Sequence, residues 1–171
     1  MNINESKEDY DLITFQSAQE DEIELIYQLY RRCANTSRGS WDDEYPTLEF
    51  VKQDYAQQGL MTLKNERNEI IAAGAITSAE ELKDLTRSTE LHQLLELSRL
   101  GVDPKYQGQG YGRLLLHNLM EEVRRRHADG IQLLAASANI PALSLYRHAG
   151  FEERGSFLMY GIDFILLEKR F

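Results

Sequence analysis

Six consecutive residues, Gln107-Gly108-Gln109-Gly110-Tyr111-Gly112, carry the densest chemical signal in the chain. Glycine lacks the Cβ that holds a ligand away and adopts backbone conformations closed to other residues, so such a turn can aim several N–H groups at one anion. The apolar residues that follow, Leu115, Leu116, Leu119, Met120 and Val123, recur at helical spacing and predict a helix over 110–127. Its first turn offers unpaired N–H donors and the positive end of the helix dipole, which hold phosphate oxygens without a dedicated lysine. Arg113, close to the turn, is the candidate cation for the same anion. The two familiar phosphate loops do not fit: Gly112 leads into Arg113-Leu114 rather than Lys-Ser/Thr, and the glycines run G-x-G-x-G rather than G-x-G-x-x-G.

A second candidate precedes the turn. Glu96 is the lone carboxylate in an apolar run over 94–102 that reads as a strand. Alternation puts it on one face with Ser98, Leu100 and Val102. Desolvation there raises a carboxyl pKa towards the range in which it accepts a proton from an ammonium group. The competing reading is a structural glutamate paired with Arg99 or another cation. His92, His117, His127 and His148 have no metal-ligand spacing, so no metal is expected. Cys33 is the only cysteine, which rules out an intramolecular disulfide and reads as a buried thiol at a helix end.

These elements resemble the GNAT superfamily of acyl-CoA-dependent N-acetyltransferases. Gln107, Gly110 and Gly112 match its Q/R-x-x-G-x-G/A pyrophosphate signature, Leu100-Gly-Val-Asp-Pro104 its L-x-V-x-P strand end, and 139–151 its N-x-x-A-x-x-L-Y-x-x-x-G-F segment. The resemblance spans about 10–168 and implies one N-acetyltransferase domain over 1–171 with acetyl-CoA as co-substrate. It implies that Gln107, Gly108, Gln109, Gly110, Tyr111, Gly112 and Arg113 cradle the pyrophosphate. Leu100, Gly101 and Val102 would engage pantetheine and the thioester through the backbone. Asn139 falls where the family often binds pantetheine, although a helix cap explains it nearly as well. A glutamate four residues before the leucine of L-x-V is the general base in many family members, and Glu96 holds that place. Tyr146 falls at the tyrosine that serves as general acid towards the departing sulfur.

The remaining elements must position these groups. Expected are a strand over 10–15, a helix opened by a capping box at Ser17-Ala-Gln-Glu20, and a helix from 47 to 57 stopped by Gly59. A hairpin follows at 60–63 and 70–76, then a partly helical excursion over 78–93. After the strand at 94–102 and the helix, a buried strand at 131–136 completes a parallel βαβ unit. A helix after Pro141 buries Ala142, Leu145 and Ala149 and ends at Gly150, and two strands close the chain, the last at 164–167. The fold class is α/β (α+β), a mixed sheet of six to seven strands with about four helices.

Composition bounds the partners. A net charge of −9 and pI near 5.0 argue against a nucleic-acid surface. Residues 99–127 nevertheless carry six cations against three carboxylates, a local +3 that suits a polyanionic cofactor. Arg124, Arg125 and Arg126 are also explained by the negative end of the helix they close. The polar, acidic start lacks a signal-peptide pattern and no apolar run spans a bilayer, so a cytoplasmic protein without a membrane partner is expected. The resemblance further implies a small-molecule or peptide amine as acceptor, recognised by the loop Arg38–Tyr45 and the segment Gly155–Ile162. Trp41, Asp42, Asp43 and Glu44 form either an aromatic, acidic mouth or a solvated loop. Homodimerisation is common in the family, and no residue pattern here argues for or against it. The alternatives are a non-catalytic acyl-CoA-binding module, a longer acyl donor, O-acylation, or another nucleotide binder.

Overall fold

The computed structural model describes residues 12–36, 40–82, 85 and 93–171. Within it the chain runs β1 (Thr14–Ser17), α1 (Ile23–Ala34), α2 (Leu48–Ala56), β2 (Leu60–Lys64), β3 (Ile70–Ser78) and β4 (Leu94–Val102). It continues with α3 (Tyr111–Arg125), β5 (Gly130–Ala136), α4 (Ile140–His148), β6 (Glu152–Met159) and β7 (Ile162–Arg170). Seven strands form one sheet in the order β1-β2-β3-β4-β5-β7-β6, and every neighbouring pair is antiparallel except β4 with β5. The expected mixed sheet and four helices are therefore present.

Helices cover both faces. On one, α3 buries Leu115, Leu116, Leu119, Met120 and Val123 against Leu63, Ile71, Leu97, Ile131, Leu133 and Leu167, with Leu143 and Tyr146 of α4 joining this core. On the other, Ile26, Leu29, Tyr30 and Cys33 of α1 and Val51 of α2 pack on Leu60, Ala73 and Ala75. Apolar area removed from water on two faces is the main force holding the sheet.

Several expectations are corrected. The first strand begins at Thr14, and Tyr10 and Asp11 lie outside the described residues. Ser17 ends β1, and the capping box is formed two residues later by Gln19 and Glu22, around a 3-10 turn over Glu20–Glu22. The α2 helix ends at Ala56, and Gln58, not Gly59, takes the left-handed turn at φ 56°. Gly59 is needed for space, because a Cβ there would lie 1.9 Å from the Ile76 carbonyl oxygen. On α4 the fully buried residues are Leu143 and Tyr146, while Ala142, Leu145 and Ala149 are only half-buried. Of the excursion at 78–93, Ala79–Leu82 is a 3-10 turn, and 83–84 and 86–92, with His92, lie outside the described residues.

Candidate active site

The β4–α3 turn is built from backbone. Gly108 and Gly110 stand at φ 74° and 88°, a region that penalises any Cβ, and nothing lies within 4 Å of where a Gly108 Cβ would project. Gly110 is the N-cap of α3 and no side chain caps the helix, so the N–H groups of its first turn are left to an external acceptor. Gln107, Gly108, Gln109 and Gly110 are all exposed. The Gln107 side chain folds back, Nε2 donating to the Val102 carbonyl at 3.0 Å, which ties the turn to the end of β4. Gln109 likewise reaches the Lys105 carbonyl at 3.4 Å. Tyr111 packs edge-on against Tyr106 with ring centroids 6.2 Å apart. Gly112 is less constrained: a Cβ would sit 3.7 Å from Val102 and 3.8 Å from Leu145, ordinary contacts. Arg113 is exposed and lines a groove of about 630 Å³ between α3 and α4, with His117, Met120, Pro141, Ser144 and Leu145.

Next to this turn the sheet opens. The parallel strands pair only at Leu94–Glu96 with Gly130–Gln132, whereas β5 stays paired with β7 along its whole length. From Leu97 onward the β5-facing edge of β4 therefore presents peptide groups without a strand partner, beside the start of α3. Asn139 supplies the N-cap of α4, its Oδ1 accepting from the Ala142 N–H at 3.3 Å. That oxygen is occupied by the helix and the amide nitrogen remains.

β4 itself does not alternate as the sequence suggests. Ala73 pairs with Gly101 and Ala75 with Ser98, so Gly74 alone spans Arg99 and Leu100, and Arg99 takes φ 54°. This bulge resets the alternation. Glu96 and Ser98 face α2, whereas Leu100 and Val102 pack in the α3/α4 core, so the expectation of one shared face fails at the bulge.

The cleft on the α2 side, about 240 Å³, is lined by Glu96 with Phe50, Asp54, Thr77, Ser78 and Arg99 among others. Of the partners expected for a structural Glu96, Arg99 or another cation, Arg99 is turned to Asp54, its fork gripping it with Nε to Oδ2 at 2.6 Å and Nη2 to Oδ1 at 2.5 Å. It also donates to the Tyr45 hydroxyl at 3.0 Å and the Ser98 hydroxyl at 2.9 Å, and lies over the Phe50 ring. Burial opposes the Arg99 charge, but the hydrogen bonds and charges of Asp54 and Tyr45 outweigh it and raise its pKa. Burial also pushes the Tyr45 phenol up. Sequence reasoning missed Asp54, Tyr45 and Phe50 as parts of one site. The available signal was Asp54 itself, three residues after Val51 on the apolar stripe of α2, where a carboxylate needs a buried cation.

Tyr146 lies on the opposite, α3/α4 face, 8% exposed, edge-on to Phe151, and burial raises its phenol to about 12. Trp41 forms no open mouth: it stacks edge-on with Tyr30 at 5.1 Å and covers Gly101, where a Cβ would lie 3.2 Å from the indole. Asp42 accepts from the Glu44 and Tyr45 N–H groups of its own turn, and Arg38 and Gly39 lie outside the described residues. Cys33 is buried and donates to the Val102 carbonyl at 3.1 Å; burial raises the thiol to about 12. At the C-terminal end of α3, Arg124 pairs with Glu121, and Arg125 and Arg126 pair with Glu122. Among the described residues no His/Cys/Asp/Glu group forms a metal site, and no helix is long and apolar enough to cross a membrane.

The sheet thus parts between two parallel strands beside an uncapped, glycine-opened helix, within a mixed α/β fold. Residues 23–151 match the family model described as the acetyltransferase (GNAT) family, and the chain belongs to that family. Among curated relatives, the mycothiol acetyltransferase of Beutenbergia cavernae is 39% identical over 67 residues, 39% of this chain and 23% of that protein. The chain thus spans under a quarter of that relative. The N-alpha-acetyltransferase RimI of Mycobacterium tuberculosis is 29% identical over 73% of each chain. A chain of the NatC complex, solved with a Gag peptide and CoA, superposes with a TM-score of 0.73 at 16% identity over 94% of this chain and 99% of that one, a likeness of fold.

Proposed function

We propose that this protein transfers an acetyl group from acetyl-CoA to a primary amine, with both substrates bound at once and reacting directly. The observation that carries the reading is the parting of β4 from β5 beyond Glu96, beside the uncapped start of α3. The Gln107–Gly112 turn and the α3 N-terminus would take the pyrophosphate, with Arg113 at the α3/α4 groove. Along the β5-facing edge of β4, main-chain groups of Leu100, Gly101 and Val102 other than the Val102 carbonyl, which Gln107 and Cys33 already occupy, would hydrogen-bond the pantetheine arm and polarise the thioester carbonyl, and the free amide nitrogen of Asn139 would assist.

Acetyl-CoA supplies the acyl carbon and a thiolate leaving group. Glu96, in the cleft on the α2 side, takes the proton from the ammonium group directly or through water, so that the neutral amine nitrogen attacks the carbonyl carbon. As the new C–N bond forms and the C–S bond breaks, Tyr146 stabilises the developing thiolate. A phenol near 12 is a weaker acid than a thiol near 8.5. Complete transfer from Tyr146 is uphill by roughly 5 kcal/mol at about 1.4 kcal/mol per unit, so its part is to donate a hydrogen bond. The second amine proton then neutralises the sulfur through solvent.

The acceptor class is an amine, small or peptide-borne: an acidic chain attracts a cation, and relatives named for an N-alpha and a thiol-bearing substrate leave both open. The test is calorimetric titration with acetyl-CoA, with CoA and ATP as comparators, then thiol release with a panel of an alanine-initiated hexapeptide, a polyamine, an amino sugar and free lysine. Micromolar acetyl-CoA affinity with thiol release is expected. Binding without release from any amine would indicate an acyl-CoA sensor, and no binding would remove the donor altogether.

A further inference from the structure

Arg99 occupies a left-handed conformation in the middle of a strand, at φ 54°. Such a conformation costs a non-glycine residue on the order of 1–3 kcal/mol and persists where surrounding contacts over-determine it. Glycine would adopt it without strain, so what the position uses is the side chain. Its surroundings explain how. Four of the five guanidinium N–H donors are engaged, two on Asp54, one on Tyr45 and one on Ser98, and the cation lies 5.3 Å from the Phe50 ring centroid. The side chains of Arg99 and Asp54 are 10% and 3% exposed. A bidentate fork in that setting fixes direction as well as distance, which a lysine ammonium cannot do.

Two structures meet at this residue. Along the chain, Arg99 is the bulge that turns Leu100 and Val102 to the α3/α4 face, three residues after the last pairing of β4 with β5 at Glu96. Across space, its fork reaches α2 and the Tyr45–Phe50 wall of the cleft that holds Glu96. Asp54 and Glu96 are the two carboxylates among the residues lining that cleft, and Asp54 is the one the Arg99 fork grips.

We infer that Arg99 is a positioning residue: its fork on Asp54 locks the β4 bulge and the aromatic wall of the cleft into one unit, registering acceptor against donor strand. The inference rests on the acetyl-transfer reading above for its functional half, and its structural half is measurable alone.

The experiment compares the unaltered protein with Arg99→Gly, which keeps the backbone conformation and deletes the fork, with Arg99→Lys, and with Asp54→Asn. Three readouts are taken: acetyl-CoA affinity, turnover with acetyl-CoA and the alanine-initiated hexapeptide, and hydrogen–deuterium exchange at the amides of 100–102 relative to those of α3. Arg99→Gly is expected to bind acetyl-CoA within about threefold of the unaltered protein, to lose about 30-fold or more in kcat, and to exchange at least tenfold faster at 100–102. Those losses correspond to at most two or three charge-assisted hydrogen bonds. Added guanidinium ion should restore part of the turnover, and Arg99→Lys should stay low. Unchanged exchange at 100–102 in Arg99→Gly, or equal losses of kcat and acetyl-CoA affinity, overturns the positioning role. Unfolding of both Arg99→Gly and Asp54→Asn does the same, since the pair would then only hold the fold. Failure of the unaltered protein to release thiol with any panel amine overturns acetyl transfer instead, and the exchange measurement still decides the clamp.

Discussion

The two faces of β4 are built by opposite means. Towards α3 and α4 the candidate site is main chain: two left-handed glycines, an uncapped helix start and a strand edge that has lost its neighbour. Towards α1 and α2 it is side chain: the buried Arg99 guanidinium, with a carboxylate, a phenol and a phenyl ring from positions 45 to 54 residues away. A ligand common to many proteins can be held by groups every residue possesses, whereas selection among acceptors requires side-chain chemistry.

The comparison breaks first at the turn. Gly110→Trp places an indole at φ 88° in the anion path and should reduce acetyl-CoA affinity by at least about 100-fold in calorimetry, a loss of roughly 3 kcal/mol; unchanged affinity would end the cradle assignment. On the other face, Glu96→Gln should leave that affinity intact while lowering kcat/KM by about 10²–10⁴ and flattening its rise with pH. A retained pH profile would move the proton acceptor elsewhere. Tyr146→Phe is expected to cut kcat by roughly 10- to 100-fold, the worth of one hydrogen bond to a developing charge, with little change in melting temperature; unaltered kcat would assign Tyr146 to packing alone.

Alkaline titration gives a smaller effect. Folding holds the protons of Cys33 and Tyr146 to about 12, above their ordinary 9.0 and 10.0. A raised pKa means that this stability is complete below the unfolded value and is lost as pH climbs through it towards 12. The urea midpoint should therefore fall between pH 9 and 12, with a shallower fall in Cys33→Ala; equal slopes would place the thiol in contact with solvent. Smallest of all is Gly112→Ala, whose new methyl meets only ordinary contacts. We expect acetyl-CoA affinity within about threefold, and a loss as large as that of Gly110→Trp would show that the turn tolerates no Cβ anywhere.

Much of the donor side was legible in the sequence because its determinants are contiguous. Glycine spacing foretold the turn, apolar periodicity placed α3 to within two residues at its C-terminal end, and Asn139 and Gly150 bracket α4 as a cap and a left-handed stop. The misplacements on this side were small and local, as when half-buried Ala142 and Leu145 stood in for buried Leu143 and Tyr146. The acceptor side was far less legible. Trp41 and the acids beside it read as either a mouth or a solvated loop, but the indole fills space over Gly101, and this depends on how close α1 packs on β4.

By itself, then, the sequence determined where helices and strands lie, which turn could hold an anion and that a carboxylate stands on the strand before it. Those properties follow from backbone preferences and burial periods within a few residues. Tertiary structure decided that β4 parts from β5 after Glu96, that a bulge sends Leu100 and Val102 to the other face, and that the Arg99 fork grips Asp54. The register of one strand against another and the pairing of charges 45 positions apart are set by packing of the whole sheet against two helical layers. No window along the chain contains them.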